Sequence, residues 1–310
     1  MDIASVIRYV DQDGASRPDG ALERHPMTHQ VHHRFATVQG QQIYYREAGP
    51  ADAPTIVLLH GFPTSSFMYR NLIPALADRY HVVAPDYPGY GWSDAPKASD
   101  FTYSFESITS VMTDFLASLD IRRFSIFIQD FGAPIGLRIA ARHPEWVSAI
   151  ITQNGNAYDE GIGAEFREFL TTEPSEALTR TQLTAEFVKW QYVTGVPDPS
   201  LVDPDTWTHD LALLDRPGND LVQLSMLDDY RNNLPVYPQI HRYFRESQVP
   251  LLAVWGNGDQ IFVPAGAEAY KKDLPNAEIH FVDGGHFALE THVDTIAQYT
   301  LEFLGRVIDK

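Results

Sequence analysis

The stretch SIFIQDFGAPIG, residues 125–136, carries an apolar run into a single acid, Asp130, and then into small residues. Ser125–Ile128 predicts a buried strand, and the segment from about Gly132 to Arg142 predicts a helix. Asp130 therefore stands on a sharp strand-to-helix turn. In a nucleophile elbow the reactive side chain occupies that turn, small residues flank it, and the helix N-terminus stabilises its negative charge. Asp is also a common helix N-cap, so the turn by itself leaves Asp130 either a nucleophile or a cap.

Upstream, Thr55–Leu59 is a short apolar run ending at His60-Gly61, and Phe35–Val38 and Ile43–Arg46 flank Gln39-Gly40 as a hairpin. A helical stretch over Met68–Leu76, a strand His81–Ala84, and a helix carrying Ile108, Val111, Met112, Phe115 and Leu119 lie between them and the elbow. Downstream come strands Ala149–Thr152, Leu251–Trp255 and Ile279–Val282, a helix Ala265–Lys272, and a last helix from about Asp294 to Ile308. Such alternation predicts an α/β protein with a mostly parallel sheet and helices on both faces. Between 156 and 248 the residues read as helical with no buried strand. That pattern predicts a helical cap inserted into one core domain formed by 29–155 and 249–310. Residues 1–28 mix Pro, Gly, Asp and Arg without periodicity and are read as an N-terminal extension.

The chain has 310 residues, 44% of them hydrophobic, enough for one large core with an insertion. Lys and Arg number 23 against 41 Asp and Glu, a formal net charge of −18 that repels nucleic acid and anionic membranes. Cysteine is absent, so disulfides and thiolate metal sites are excluded. The N-terminus is acidic where a signal peptide needs a basic start, and no apolar run is long enough to span a membrane. A cytoplasmic protein, monomer or homodimer, is expected.

Two further motifs follow strands. Gly256-Asn257-Gly258-Asp259 comes directly after Leu251–Trp255, and Gly284-Gly285-His286 directly after Ile279–Val282. Ligands of open parallel sheets bind beyond the carboxyl ends of the strands, and Asp130, Asp259 and His286 all fall there in the order nucleophile, acid, histidine. Either of the last two alone is as well read as a turn former or a surface residue; their coincidence with Asp130 is what points to a site. At His60-Gly61-Phe62-Pro63 the backbone amide of Phe62, with that of Phe131, is placed to form an oxyanion hole, and His60, Phe62 and Phe131 to line the substrate. The glycines and proline of Asp86–Asp94 are read as fixing a loop, without chemistry.

HGFPTSS, DYPGYGWSD, QDFGAPIG, GNGDQIF and GGHF resemble, in order, the landmarks of the α/β-hydrolase superfamily over residues 30–308 apart from the cap. The aspartate nucleophile resembles the branch of epoxide hydrolases and haloalkane dehalogenases. The resemblance implies that a carboxylate attacks a saturated carbon to give an ester, which water activated by a His–Asp pair hydrolyses. The two activities differ in what stabilises the leaving group. A dehalogenase needs N–H donors for the halide, supplied by Trp after the nucleophile and often Asn after His-Gly, whereas here those positions are Phe131 and Phe62. An epoxide hydrolase needs proton donors for the alkoxide. Asp229-Tyr230-Arg231-Asn232 is similar to that family's Tyr-Arg-Asn segment and makes Tyr230 the donor, with Tyr192 as a second candidate; both are equally ordinary as packing tyrosines.

Ile128, two before the nucleophile, departs from the epoxide hydrolases, which usually have Gly there and also commonly carry Trp at the position of Phe131. Some dehalogenases take the acid from the loop after the next strand. Here that loop offers Asn154, which does not ionise, and the distant Asp159, so Asp259 is preferred. Trp190 and Trp207 are candidate halide donors or packing residues. The expected activity is a cofactor-independent and metal-independent epoxide hydrolase acting on a small apolar substrate. Its rivals are a haloalkane dehalogenase and a non-catalytic binding protein on the same fold.

Overall fold

A computed structural model describes residues 30–308. Its centre is an eight-stranded sheet in the order β1-β2-β4-β3-β5-β6-β7-β8. The strands are β1 (His32–Val38), β2 (Gln41–Ala48), β3 (Thr55–Leu59), β4 (His81–Pro85), β5 (Phe124–Gln129), β6 (Val147–Gln153), β7 (Leu251–Gly256) and β8 (Glu278–Val282). β2 pairs antiparallel with β1 and β4, and every later pairing is parallel. The hairpin turns at Gln39 and Gly40, both at positive φ. β4, β5 and β7 are buried along their whole length, which is why their sequences are mostly apolar on both faces: helices cover both sides.

Those helices include α1 (Leu72–Leu76), α2 (Phe105–Ser118) and α3 (Gly132–Arg142). The helix expected over Met68–Leu76 is instead a 3₁₀ turn, Ser66–Tyr69, followed by α1. Pro74 has no N–H for the carbonyl of Arg70, so a continuous helix would leave that carbonyl unpaired, and placing Pro74 in the first turn of α1 avoids the loss.

Between β6 and β7 run α4 (Ala164–Thr171), α5 (Glu176–Arg180), α6 (Ala185–Val193), α7 (Asp205–Leu214), α8 (Asn219–Asp229) and α9 (Tyr237–Ser247). Among the described residues this stretch holds no strand. Its two ends stay on the sheet domain: Ile162 bridges Phe262, the Gly163 amide donates to the Ile261 carbonyl, and α9 packs on α3. α10 (Ala265–Ala269) and α11 (Leu289–Val307) complete the layers, with α1 against α11 and α2 against α3. α11 starts earlier than the expected Asp294 and departs from helical geometry at His292. The N-terminal extension expected over 1–28 lies outside the described residues. No helix of the described chain is long and apolar enough to cross a membrane.

Candidate active site

The carboxyl ends of β3, β5, β6, β7 and β8 bring His60-Gly61-Phe62, Asp130, Asn154, Asp259 and His286 to one edge of the sheet. Asp130 bridges β5 and α3 with φ of 47°, a left-handed conformation that a non-glycine residue adopts only when its surroundings hold it there. Two glycines make the turn possible. A Cβ on Gly132 would lie 2.0 Å from the Leu59 carbonyl oxygen, and one on Gly61 would meet the Asp130 side chain at 2.3 Å. Small residues stand there because the elbow leaves no space for others.

The carboxylate does not cap α3. The helix takes Phe131 at its N-cap with no side-chain cap bond. Instead Asp130 Oδ1 accepts the Phe62 amide at 2.7 Å, and the Phe131 amide also bonds the carboxylate. The helix-cap alternative for Asp130 is therefore set aside. Its other oxygen, Oδ2, lies 3.7 Å from His286 Nε2, while His286 Nδ1 is 2.9 Å from Asp259 Oδ2. Asp259 is locked in turn. Its Oδ1 accepts the amides of Ile261 (2.7 Å) and Phe262 (3.1 Å), and its Oδ2 accepts Asn154 Nδ2 at 2.7 Å. Asp159 is exposed and takes no part.

Burial raises the Asp130 carboxyl to about 6, a rise held back by His286 and the amides of Phe62 and Phe131. Burial by itself would lower the His286 imidazole, but the facing carboxylates of Asp259 and Asp130 overcome it and raise its basicity. The geometry joins a fixed carboxylate to a buried base that a second carboxylate orients.

The sequence model of the α/β hydrolase fold family matches residues 54–293. The chain belongs to the α/β-hydrolase fold family. An uncharacterized hydrolase of Saccharomyces cerevisiae is 43% identical to this hydrolase over 275 residues, covering 86% of this chain and 94% of that protein. A haloalkane dehalogenase of Psychrobacter cryohalolentis is 26% identical over 288 residues, covering 85% and 87% respectively. The crystal structure of a haloalkane dehalogenase from Bradyrhizobium elkani superposes with a TM-score of 0.76 at 24% identity, over 90% of this chain and 98% of that one, and so shares the fold.

Above the Asp130 carboxylate this hydrolase has a cavity of about 110 Å³, walled by Phe62, Phe131, Phe166, Phe187, Trp190 and Gln191. Phe62, Phe131 and Trp190 thus stand where the sequence puts them. His60 does not. It is fully buried beneath the site, stacked on Tyr87 at 4.0 Å, and burial lowers its imidazole to about 3, so it is a neutral strut and not a substrate contact. Tyr192 is also misplaced by the sequence reading: its hydroxyl donates to Asp210 and its ring stacks on Phe287 at 4.1 Å, outside the cavity wall. Tyr230 backs the wall. Its ring lies against Phe131 (5.8 Å), Phe166 (4.9 Å) and Phe262 (6.0 Å), and its hydroxyl bonds that of Tyr237. Burial raises its phenol well above the usual value, so it keeps its proton. Trp207 lies off the cavity under Lys189.

Three residues escaped the sequence reading. Asn154, passed over because it does not ionise, joins the end of β6 to the β7 loop by bonding Asp259 and accepting the Gly256 amide at 2.8 Å. Gln129, directly before Asp130, reaches His286 Nε2 at 3.1 Å. Gln191 is 3% exposed, and its Nε2 has no hydrogen-bond partner among the described residues. An amide beside an aromatic on a short helix of the insertion carries no motif signal. The Asp86–Asp94 loop is structural, as expected: the Asp86 carboxylate accepts the amides of Ser66 and Trp92.

Proposed function

We propose that this hydrolase builds a covalent ester on Asp130 and hydrolyses it with His286, and that its substrate is a small apolar epoxide, opened to a vicinal diol. The observation that carries the reading is the division of labour between the two Asp130 oxygens. Oδ1 accepts the Phe62 amide at 2.7 Å, while Oδ2 lies 3.7 Å from His286 Nε2. An attack by Oδ2 on a saturated carbon leaves Oδ1 as the ester carbonyl oxygen. When water activated by His286 adds to that carbonyl, the charge develops where the Phe62 and Phe131 amides already point. Asp259 stabilises the imidazolium that forms, and the helical insertion acts as the cap over the apolar cavity.

Epoxide is preferred over haloalkane because Phe62 and Phe131 contribute only their backbone amides, which Asp130 already uses, so neither brings a side-chain N–H to a halide. Tyr230 keeps its proton at working pH, and a movement of its ring from behind Phe131 and Phe166 would bring its hydroxyl from Tyr237 to the substrate oxygen. The dehalogenase reading draws on the named relatives and on Trp190 in the wall. A panel of styrene oxide, 1-bromohexane and an activated ester, run on the wild type and Asp130→Ala, separates them. Diol from the epoxide, abolished in Asp130→Ala, is the expected result. Halide release without diol formation moves the assignment to the dehalogenases, and diol formation that survives Asp130→Ala ends the mechanism.

A further inference from the structure

Ring opening places charge on the epoxide oxygen, and Tyr230 alone leaves that oxygen with unfilled lone pairs; of the side chains with N–H groups that line the cavity, Gln182, Trp190, Gln191 and Gln260, Gln191 is the buried one. Successive residues on a helix turn by about 100°. On α6 that rotation turns Trp190 and Gln191 to the cavity and carries Tyr192 off to Asp210. Gln191 also borders the small void beside His286 and Asp259. Leaving a buried amide N–H unpaired costs about 1–3 kcal/mol. A substrate oxygen arriving in this cavity gives it a partner. Rotating the terminal torsion exchanges the two amide atoms within the same outline, so the N–H can face the substrate.

We infer that Gln191 is a catalytic residue: its carboxamide N–H holds the leaving epoxide oxygen, as the second donor beside Tyr230. This rests on Asp130 being the nucleophile. An amide does not give up its proton at working pH, so the two donors have separate tasks. Asp130 Oδ2 forms a bond to the ring carbon as the ring C–O bond breaks; the oxygen, held by Gln191, takes the Tyr230 proton. His286 then removes a proton from water, whose hydroxide adds to the ester carbonyl. Collapse releases the second alcohol oxygen, which takes the proton from His286, and the proton left on the Asp130 carboxyl returns to Tyr230 through solvent. One epoxide and one water give one diol.

The test measures ester formation and ester decay separately. On a His286→Gln background, where the ester accumulates, the added mass on the Asp130 peptide after mixing with styrene oxide reports alkylation. Adding Gln191→Leu or Gln191→Glu should slow alkylation about a hundredfold, the usual cost of one oxyanion donor. With His286 intact, decay of the ester after substrate is removed should be unchanged by either substitution. Alkylation at the parent rate in both variants overturns the assignment, and so does an equal slowing of both steps, which marks a packing role. If Gln191→Leu fails to fold, Gln191→Glu, which matches its outline without the N–H, decides alone. If the His286→Gln parent gains no mass with any epoxide, the Asp130 reading itself fails, and this inference falls with it.

Discussion

A carboxylate 5% exposed, lifted from 3.8 to about 6, is a burden on the fold, and replacing Asp130 by Asn should make the protein more stable while abolishing turnover. The rise corresponds to about 3 kcal/mol favouring the neutral acid, so at pH 8 the ionised group costs the native state about that much relative to the unfolded chain. Asn fits without distortion: it tolerates the positive φ, its oxygen can accept the Phe62 amide, and its NH₂ can donate to neutral His286. The sign with pH follows from the raised value. Between about pH 4 and 6 the native state holds a proton that the unfolded chain has lost, so the wild type gains stability as the pH falls through that window, and the variant does not. The advantage of Asp130→Asn is therefore fully developed above pH 6 and falls to about half by pH 5. For a chain of this length the unfolding entropy is about 0.65 kcal/mol/K, so 3 kcal/mol becomes a rise in Tm of about 5 °C at pH 8. Thermal unfolding followed by circular dichroism at pH 8 and pH 5 measures both numbers. A variant that melts at or below the wild-type temperature at pH 8, or a difference that is the same at both pH values, refutes the reasoning.

The same raised carboxyl sets an acid limit on chemistry: the single-turnover rate of ester formation should fall about tenfold per pH unit below about 6, and a rate that is flat down to pH 4.5 would mean that Asp130 is not the attacking group. Asn154→Gly keeps the left-handed backbone at that position while deleting the bonds to Asp259 and the Gly256 amide. Ester hydrolysis should slow about tenfold, the order of one lost hydrogen bond to a charged group, with ester formation unchanged. Equal slowing of both steps would show that Asn154 acts on the whole site and not through the Asp259–His286 pair.

The sheet and the elbow were legible because each residue there answers to one strong constraint. Residues 126–128 are apolar because helices cover both faces of β5, and Gly61 and Gly132 are small because their missing Cβ atoms would overlap Asp130 and the β3 carbonyl. Asp259 and His286 could be read for the same reason: each follows directly on a strand, and strand ends converge at one edge of a parallel sheet. His60 was misread because it too follows a strand. The backbone turns its ring down onto Tyr87 rather than up toward the cavity, and direction is not encoded by position after a strand.

The insertion was harder to read because its helices are short and mostly half-buried, so no residue's side is fixed by periodicity. Trp190, Gln191 and Tyr192 are consecutive, and one turn of α6 sends them to different places. A tyrosine with a plausible role ends on Asp210, and a glutamine with no motif ends in the cavity wall. A shift of α6 by a single residue would reverse that outcome, putting a phenol in the wall in place of a carboxamide while Asp130, Asp259 and His286 stayed as they are. On the proposed reading, the core determines that an ester forms and is hydrolysed. On the same reading, the choice between an epoxide and a halide rests with the side chains that α6 turns to the cavity and needs no change at Asp130.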